Sequence, residues 1–241
     1  ADGACRGNPG PGGWGVIVIV PGDGSNAEVI ELGGFKDQTT NNQMELTAIG
    51  RGLRAIEAIS GRVQVITDSS YVLNGITKWI KGWKARGWKT ATSGEPVANE
   101  AFWKRLEEIL SARKKQFGDE GVVEWGYVKG HAGIPANERV DMIAVAHSRH
   151  ESIYLYSGAF SEYSVDALLL PDDLSIPEMK KAKKGENQGI KPFYLSLVGR
   201  TVERHLNWAS CEARVKGVTG AKFKKVSSEQ EAEEILKAWL G

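Results

Sequence analysis

Residues 62–80 read RVQVITDSSYVLNGITKWI. Val63, Val65 and Ile66 give a short, β-branched, apolar run, the pattern of a buried strand. Asp68 closes that strand, and Ser69 or Ser70 is placed to cap the helix that follows. A carboxylate at the carboxyl end of a buried strand stands where α/β sheets keep their ligands. Upstream, WGVIVIV (14–20) is bounded by GPGG and PGDG and reads as a strand, with AEVIELGGF (27–35) as its hairpin partner. A helix follows in TTNNQMELTAIGRGLRAIEAI, capped by Thr40 or Asn41, with Leu46, Ile49, Leu53 and Ile56 at three-to-four spacing. Downstream, 98–117 is an amphipathic helix, VVEWGYV (122–128) a strand, and 135–149 a helix opened by Pro135. Three strands followed by alternating helix and strand predict an α/β fold: a mixed five-stranded sheet flanked by helices on both faces.

Composition narrows the function. The 241 residues are 41% hydrophobic and 25% charged, enough for a domain of about 150 residues with its own core and a smaller second one. No apolar run approaches the ~20 residues of a membrane span. Cys5 and Cys211, far apart, form neither a disulfide framework nor a metal cluster; they suit a reducing compartment, and a cytoplasmic location is expected. Net charge is only +1, so binding to nucleic acid depends on where the charge sits. The chain opens at Ala1 with no strand ahead of Asp2, and a few residues of a first strand are expected to be missing.

From about 150 the texture changes to Ser, Tyr, Pro, Lys and Gly with weak periodicity. The reading is a catalytic domain over 1–149, a linker over 150–191 and a small α/β domain over 192–241. The last reads as strand, strand, helix, strand, helix. Between Lys191 and Lys225 stand eight Lys or Arg against two Glu, so this end is basic although the chain is not.

Asp2, Glu45, Asp68 and Asp141 are four of 30 acids, and most acids are solvated or capping. Gathered together they would repel one another and require a hard cation, magnesium or manganese. Glycines from Gly7 to Gly13 read as a side-chain-poor turn that lets a nucleic-acid backbone approach. KWIKGWKARGWK (78–89) carries five basic residues among Trp79, Trp83 and Trp88, a pattern for phosphate contact and stacking. The plain alternative is indoles on the core with solvated lysines.

Four segments, DGACRGNPGPGGWG (2–15), TTNNQMELTA (39–48), TDSSYVLNGI (67–76) and VKGHAGIPANERVD (128–141), resemble in order and spacing the signatures of type 1 ribonucleases H. The resemblance implies a ribonuclease H-like fold and an endoribonuclease that hydrolyses the RNA strand of RNA–DNA hybrids by two metal ions, leaving 5′-phosphate and 3′-hydroxyl. It implies Asp2, Glu45, Asp68 and Asp141 as catalytic carboxylates holding two Mg2+ ions, for which Mn2+ substitutes. His131 matches the family histidine that assists proton transfer or product release. Asn8, Asn41 and Gln43 are expected near the RNA. Ser70 stands where many members carry Gln. The 78–89 segment resembles the basic handle that grips DNA, through Trp79, Lys81, Trp83, Lys84, Arg86 and Lys89. FYLSLVGR, Trp208, Cys211 and AKFKKV resemble the hybrid-binding, viroplasmin-like domain of eukaryotic relatives, placed here after the catalytic domain. Tyr194, Trp208, Phe223, Lys224 and Lys225 match its nucleic-acid contacts. The expected partner is the hybrid duplex, with no membrane, no small-molecule cofactor and a monomeric chain. A non-catalytic binding protein on the same fold would have lost a carboxylate; all four are present. A junction resolvase or reverse-transcriptase fragment shares the fold but is disfavoured by the handle and the binding module.

Overall fold

A computed structural model describes residues 1–22, 26–178, 193–199, 201–226 and 229–240. It divides into two units, Ala1–Met179 and Lys180–Gly241.

In the first unit, β1 (Asp2–Cys5), β2 (Gly10–Val20) and β3 (Glu28–Thr39) form an antiparallel meander. Helix α1 (Asn41–Ala55) is capped by Thr40, whose hydroxyl accepts from Gln43 N. Next come β4 (Val63–Thr67), α2 (Ser70–Asn74), a π-helical turn (Gly75–Trp79) and α3 (Ile80–Ala85). Helix α4 (Glu100–Phe117), β5 (Val123–Tyr127) and α5 (Pro135–Ser148) complete the alternation. The parallel β4–β5 pair is hydrogen-bonded as a sheet separate from the meander. A bond of 3.0 Å from the Ala1 ammonium to Ile66 O joins β4 to the residue ahead of β1. Asp2 is nevertheless held in a strand, opposite Gly15.

The core lies between α1, α4 and the sheet, around Leu46, Ile49, Leu53, Val72 and a fully buried Trp103. Truncating such a Trp costs about 3–5 kcal/mol. The glycines of 10–15 are strand residues, and their smallness serves packing more than a loop. A Cβ on Gly13 would stand 2.1 Å from Ala144 O, and one on Gly15 2.5 Å from Val140 O, so α5 lies directly on β2. The turn itself is confined to Arg6–Pro9.

The segment read as a linker from 150 is instead bound to the first unit as far as 178. Strand β6 (Ser157–Ala159) pairs with β3, making a four-stranded sheet in the order β1–β2–β3–β6. Buried Glu31 accepts from Arg139 Nε and Nη2 (2.7 and 2.6 Å), from Tyr163 Oη (2.6 Å) and from Tyr156 N (2.9 Å). Further on, Tyr127 N donates to Leu174 O at 2.9 Å. These bonds to irregular backbone have no sequence period, which is why the stretch read as linker. Residues 179–192 lie outside the described residues.

The second unit runs β7 (Phe193–Val198), β8 (Thr201–His205), α6 (Trp208–Val215), β9 (Lys222–Val226) and α7 (Glu229–Leu240), with strand order β8–β7–β9. Phe193, Leu195, Val226, Ala232 and Ile235 form its core. Ser196 and His205 are a buried hydrogen-bonded pair (2.7 Å), with Arg214 donating to Ser196 Oγ at 2.9 Å. His205 is therefore structural here.

Candidate active site and nucleic-acid interface

Asp2 lies on β1, Glu45 in the second turn of α1, Asp68 just after β4, and Asp141 on α5. Asp2 and Glu45 are buried, while Asp68 and Asp141 are half-buried. Burial pushes the Asp2 carboxyl up to about 6, helped by the charge of Asp68 and, more weakly, Asp141. Burial likewise raises Glu45 to about 7, with Asp2 and Asp68 adding repulsion against the hydrogen bonds that favour its charged form. These groups feel one another across the site. Among the described residues, however, no three His, Cys, Asp or Glu converge into a ready-made metal cage. All-oxygen donors with mutual repulsion fit a hard divalent cation, which would relieve both the repulsion and the raised proton affinities.

Each buried carboxylate has donors that orient it. Gly3 N donates to Asp2 Oδ1 at 2.6 Å. Asn41 Nδ2 donates to Glu45 Oε1 at 2.9 Å, and Ser69 Oγ donates to Glu45 Oε2. Asn137 Nδ2 donates to Asp68 Oδ2 at 3.2 Å. Ser69 and Asn137 were missed as site residues. The sequence marked Ser69 only as a helix cap, and Asn137 carried a signal in its i,i+4 spacing to Asp141.

Asn8, exposed on the first turn, accepts from Asn41 N at 3.3 Å, so these two are brought together. Gln43 Nε2 donates to Asn99 Oδ1 at 3.2 Å, and Asn99 Nδ2 donates to Tyr71 Oη at 3.1 Å. Asn99 has φ 60°, a left-handed conformation that Asn adopts more readily than most side chains. His131 is exposed between β5 and α5, also with positive φ, 52°. The glycine beside it is tight on the site, since a Cβ on Gly130 would stand 2.6 Å from Asp68 Oδ2.

In the 78–89 segment the indoles of Trp79 and Trp83 pack against each other and most of the cations face solvent. Trp79, Trp83, Trp103 and Tyr71 form a closed ring of edge-on and tilted contacts at 5.3–6.2 Å between centroids, anchoring the segment to the core. Lys81, Arg86 and Lys89 are exposed. Lys84 is not a free cation: it is paired with Glu107 on α4.

In the second unit Tyr194, Trp208 and Phe223 make a half-exposed aromatic row, with centroids 5.5 and 5.0 Å apart. Lys225 pairs with Tyr194 in register, and its ammonium lies 6.0 Å from that ring. Strand alternation puts neighbouring Lys224 on the opposite face, away from the aromatics.

Residues 1–149 match the family described as RNase H, and residues 193–236 match the Ribonuclease H1 N-terminal domain. The chain is 49% identical over 143 residues to Ribonuclease H of Paracidovorax citrulli, covering 59% of this chain and 87% of that one. It is 46% identical over 156 residues to Ribonuclease H of Thermosynechococcus vestitus, covering 64% and 89%. Among solved structures it is similar to LC9-RNase H1, a type 1 RNase H with the type 2 active-site motif, at TM-score 0.53 and 32% identity over 67% of this chain and 76% of that one. With 149 of its 241 residues inside one family match, the chain belongs to the ribonuclease H family, enzymes that cut the RNA of RNA–DNA hybrids, and joins to that domain the module found at the N-terminus of ribonucleases H1.

Proposed function

We propose that the chain is a monomeric endoribonuclease whose Asp2, Glu45, Asp68 and Asp141 hold two magnesium ions, for which manganese substitutes. The observation that carries this reading is the gathering of Asp2, Glu45 and Asp68, where burial and then the charge of a neighbouring carboxylate raise the proton affinities of Asp2 and Glu45. Bound there, the ions supply activation of a water and neutralisation of the leaving oxygen. The chain's own residues position the rest. Asn8 and Asn41, tied together beside Glu45, face the RNA strand, whose 2′-hydroxyls distinguish it from DNA. Gln43 reads the same groove, held by Asn99 and Tyr71. The water oxygen attacks phosphorus in line, the bond to the 3′ oxygen breaks, and the products are a 3′-hydroxyl and a 5′-phosphate. His131, exposed on its loop, carries a proton to or from the leaving side, as imidazoles do near neutral pH.

Lys81, Arg86 and Lys89, on the tryptophan-anchored segment, grip the DNA strand by its phosphates. Trp79 and Trp83 serve as scaffold, and Lys84 contributes through its pairing with Glu107. In the second unit Tyr194, Trp208 and Phe223 stack on the hybrid, with Lys225 and, from the far face, Lys224 on phosphates. Such a tether raises the local concentration of hybrid and favours long substrates. No helix of the described residues is long and apolar enough to cross a membrane, and we propose a cytoplasmic enzyme.

End-labelled hybrid incubated with magnesium, with chelator, and with an Asp68→Asn variant tests the reading. Magnesium-dependent cleavage of RNA, lost in the variant and absent on double-stranded DNA, is expected. Cleavage that survives chelator or the variant would refute it.

A further inference from the structure

Between α1 and α4, on the face of α1 turned from the carboxylates, lies a pocket of about 210 Å³. Its floor is apolar: Leu46 and Leu106 are buried, while Phe102 and Ile109 are half-buried. Gly50 keeps it open, since a Cβ there would meet only Ile109 Cδ1, at 3.8 Å. Three exposed arginines, Arg51, Arg54 and Arg105, line the mouth. Among the described residues no carboxylate stands within salt-bridge distance of any of them. Glu57 and Glu108 line the adjacent hollow instead. Arg51 lies over the Trp14 ring at 5.8 Å.

We propose that this pocket docks an acidic peptide of a partner protein, seating one large apolar side chain on the floor and setting carboxylates against Arg51, Arg54 and Arg105. The two features fit this occupant together. Arginine is the cation suited to bidentate carboxylate pairing, and a desolvated apolar anchor in a pocket is where peptide affinity concentrates. A nucleic-acid backbone would use the arginines but has no apolar side chain for the floor. Arg54 lies nine residues from Glu45 on one helix, about 13 Å along its axis. A partner held there would bring the enzyme to its place of action without entering the site. The proposal does not depend on the nuclease reading.

The test uses the full chain and a fluorescein-labelled, capped hexapeptide: two glutamates, a leucine, a phenylalanine and two aspartates. Saturable anisotropy is expected, weakened at least about tenfold by the double variant Arg54→Glu/Arg105→Glu. Gly50→Leu, which fills the pocket, is expected to weaken it comparably, as is replacing the peptide's leucine and phenylalanine by alanine. Melting temperature and circular dichroism of both variants are expected to match wild type, which shows that they fold. Three results would each overturn the proposal. The first is no saturable binding. The second is binding indifferent to Gly50→Leu or to loss of the apolar pair. The third is a charge reversal that weakens hybrid affinity while hybrid displaces the peptide, which would make the pocket a nucleic-acid contact.

Discussion

The hydroxyl of Ser69 does two things at once: it accepts from Val72 N as the cap of α2 and donates to Glu45 Oε2. Helix nucleation and carboxylate orientation therefore share one atom. Ser69→Ala removes the cap, worth about 1 kcal/mol, and a bond that favours the charged form of Glu45. The expected outcome is a modest fall in melting temperature together with a several-fold higher magnesium requirement. A variant that melts earlier but keeps the wild-type magnesium titration would reduce Ser69 to a cap.

The raised carboxyls make metal binding compete with protons. Burial, with neighbouring charge, pushes Glu45 up to about 7 and Asp2 up to about 6. Lowering the pH through that window protonates the groups proposed to bind the ion, so the half-saturating magnesium concentration should climb steeply below pH 7. The stability effect has the opposite sense. A carboxyl whose folded pKa exceeds its unfolded value stabilises the fold at low pH, and that contribution is lost as pH rises through about 6 to 7. Magnesium titrations and melting curves from pH 5.5 to 8.5 check both; a magnesium requirement flat across that range would contradict the first.

Glu31 is the most heavily bonded acid described. Burial raises its proton affinity, but Arg139, Tyr163 and Tyr156 N outweigh that and hold it below the ordinary carboxylate range. A depressed carboxyl contributes stability above its unfolded pKa and loses it as pH falls through the folded one, so this network weakens only in acid. Arg139→Met strands a buried charge and should cost about 3–5 kcal/mol. Hydrogen exchange or limited proteolysis should then find residues 150–163 opened. Protection there equal to wild type would mean that Glu31 does not hold the segment.

Trp208→Ala and Phe223→Ala should each weaken hybrid binding by about 1–3 kcal/mol, with cleavage of short hybrids at saturation little changed. Binding measured at two salt concentrations separates the aromatics from Lys225, whose loss should flatten the salt dependence by about one phosphate. Equal affinity with both rings removed would assign the aromatic row to packing.

Elements with a period were readable from the chain. Val63, Val65 and Ile66 announced β4, the pairs Thr40/Asn41 and Ser69/Ser70 announced the helix starts without deciding the cap within each pair, and the order of the second unit followed from its apolar runs. The carboxylates were legible because they stand inside four spaced segments. What was hidden depends on partners distant in sequence. Glu31 shares the inward face of β3 with Val29, which signals a buried charge, but nothing in the sequence names Arg139, 108 residues on, as its partner. Residues 150–178 looked like linker because irregular backbone bonded to the first unit has no periodicity. Lys84 looked free because Glu107 lies on another helix. Lys224 and Lys225 looked alike because pairing, not composition, decides which face each takes.

The excursion after α5 has a consequence for solubility. Sheet edges are templates on which further chains can add, and natural folds blunt them. Here β6 lies along β3, while Leu174 takes the Tyr127 amide of β5, so one continuous segment obstructs an outer edge of each sheet. A chain cut at 149, where the family match stops, would keep every carboxylate yet expose both edges, and would be expected to self-associate more readily than the longer chain.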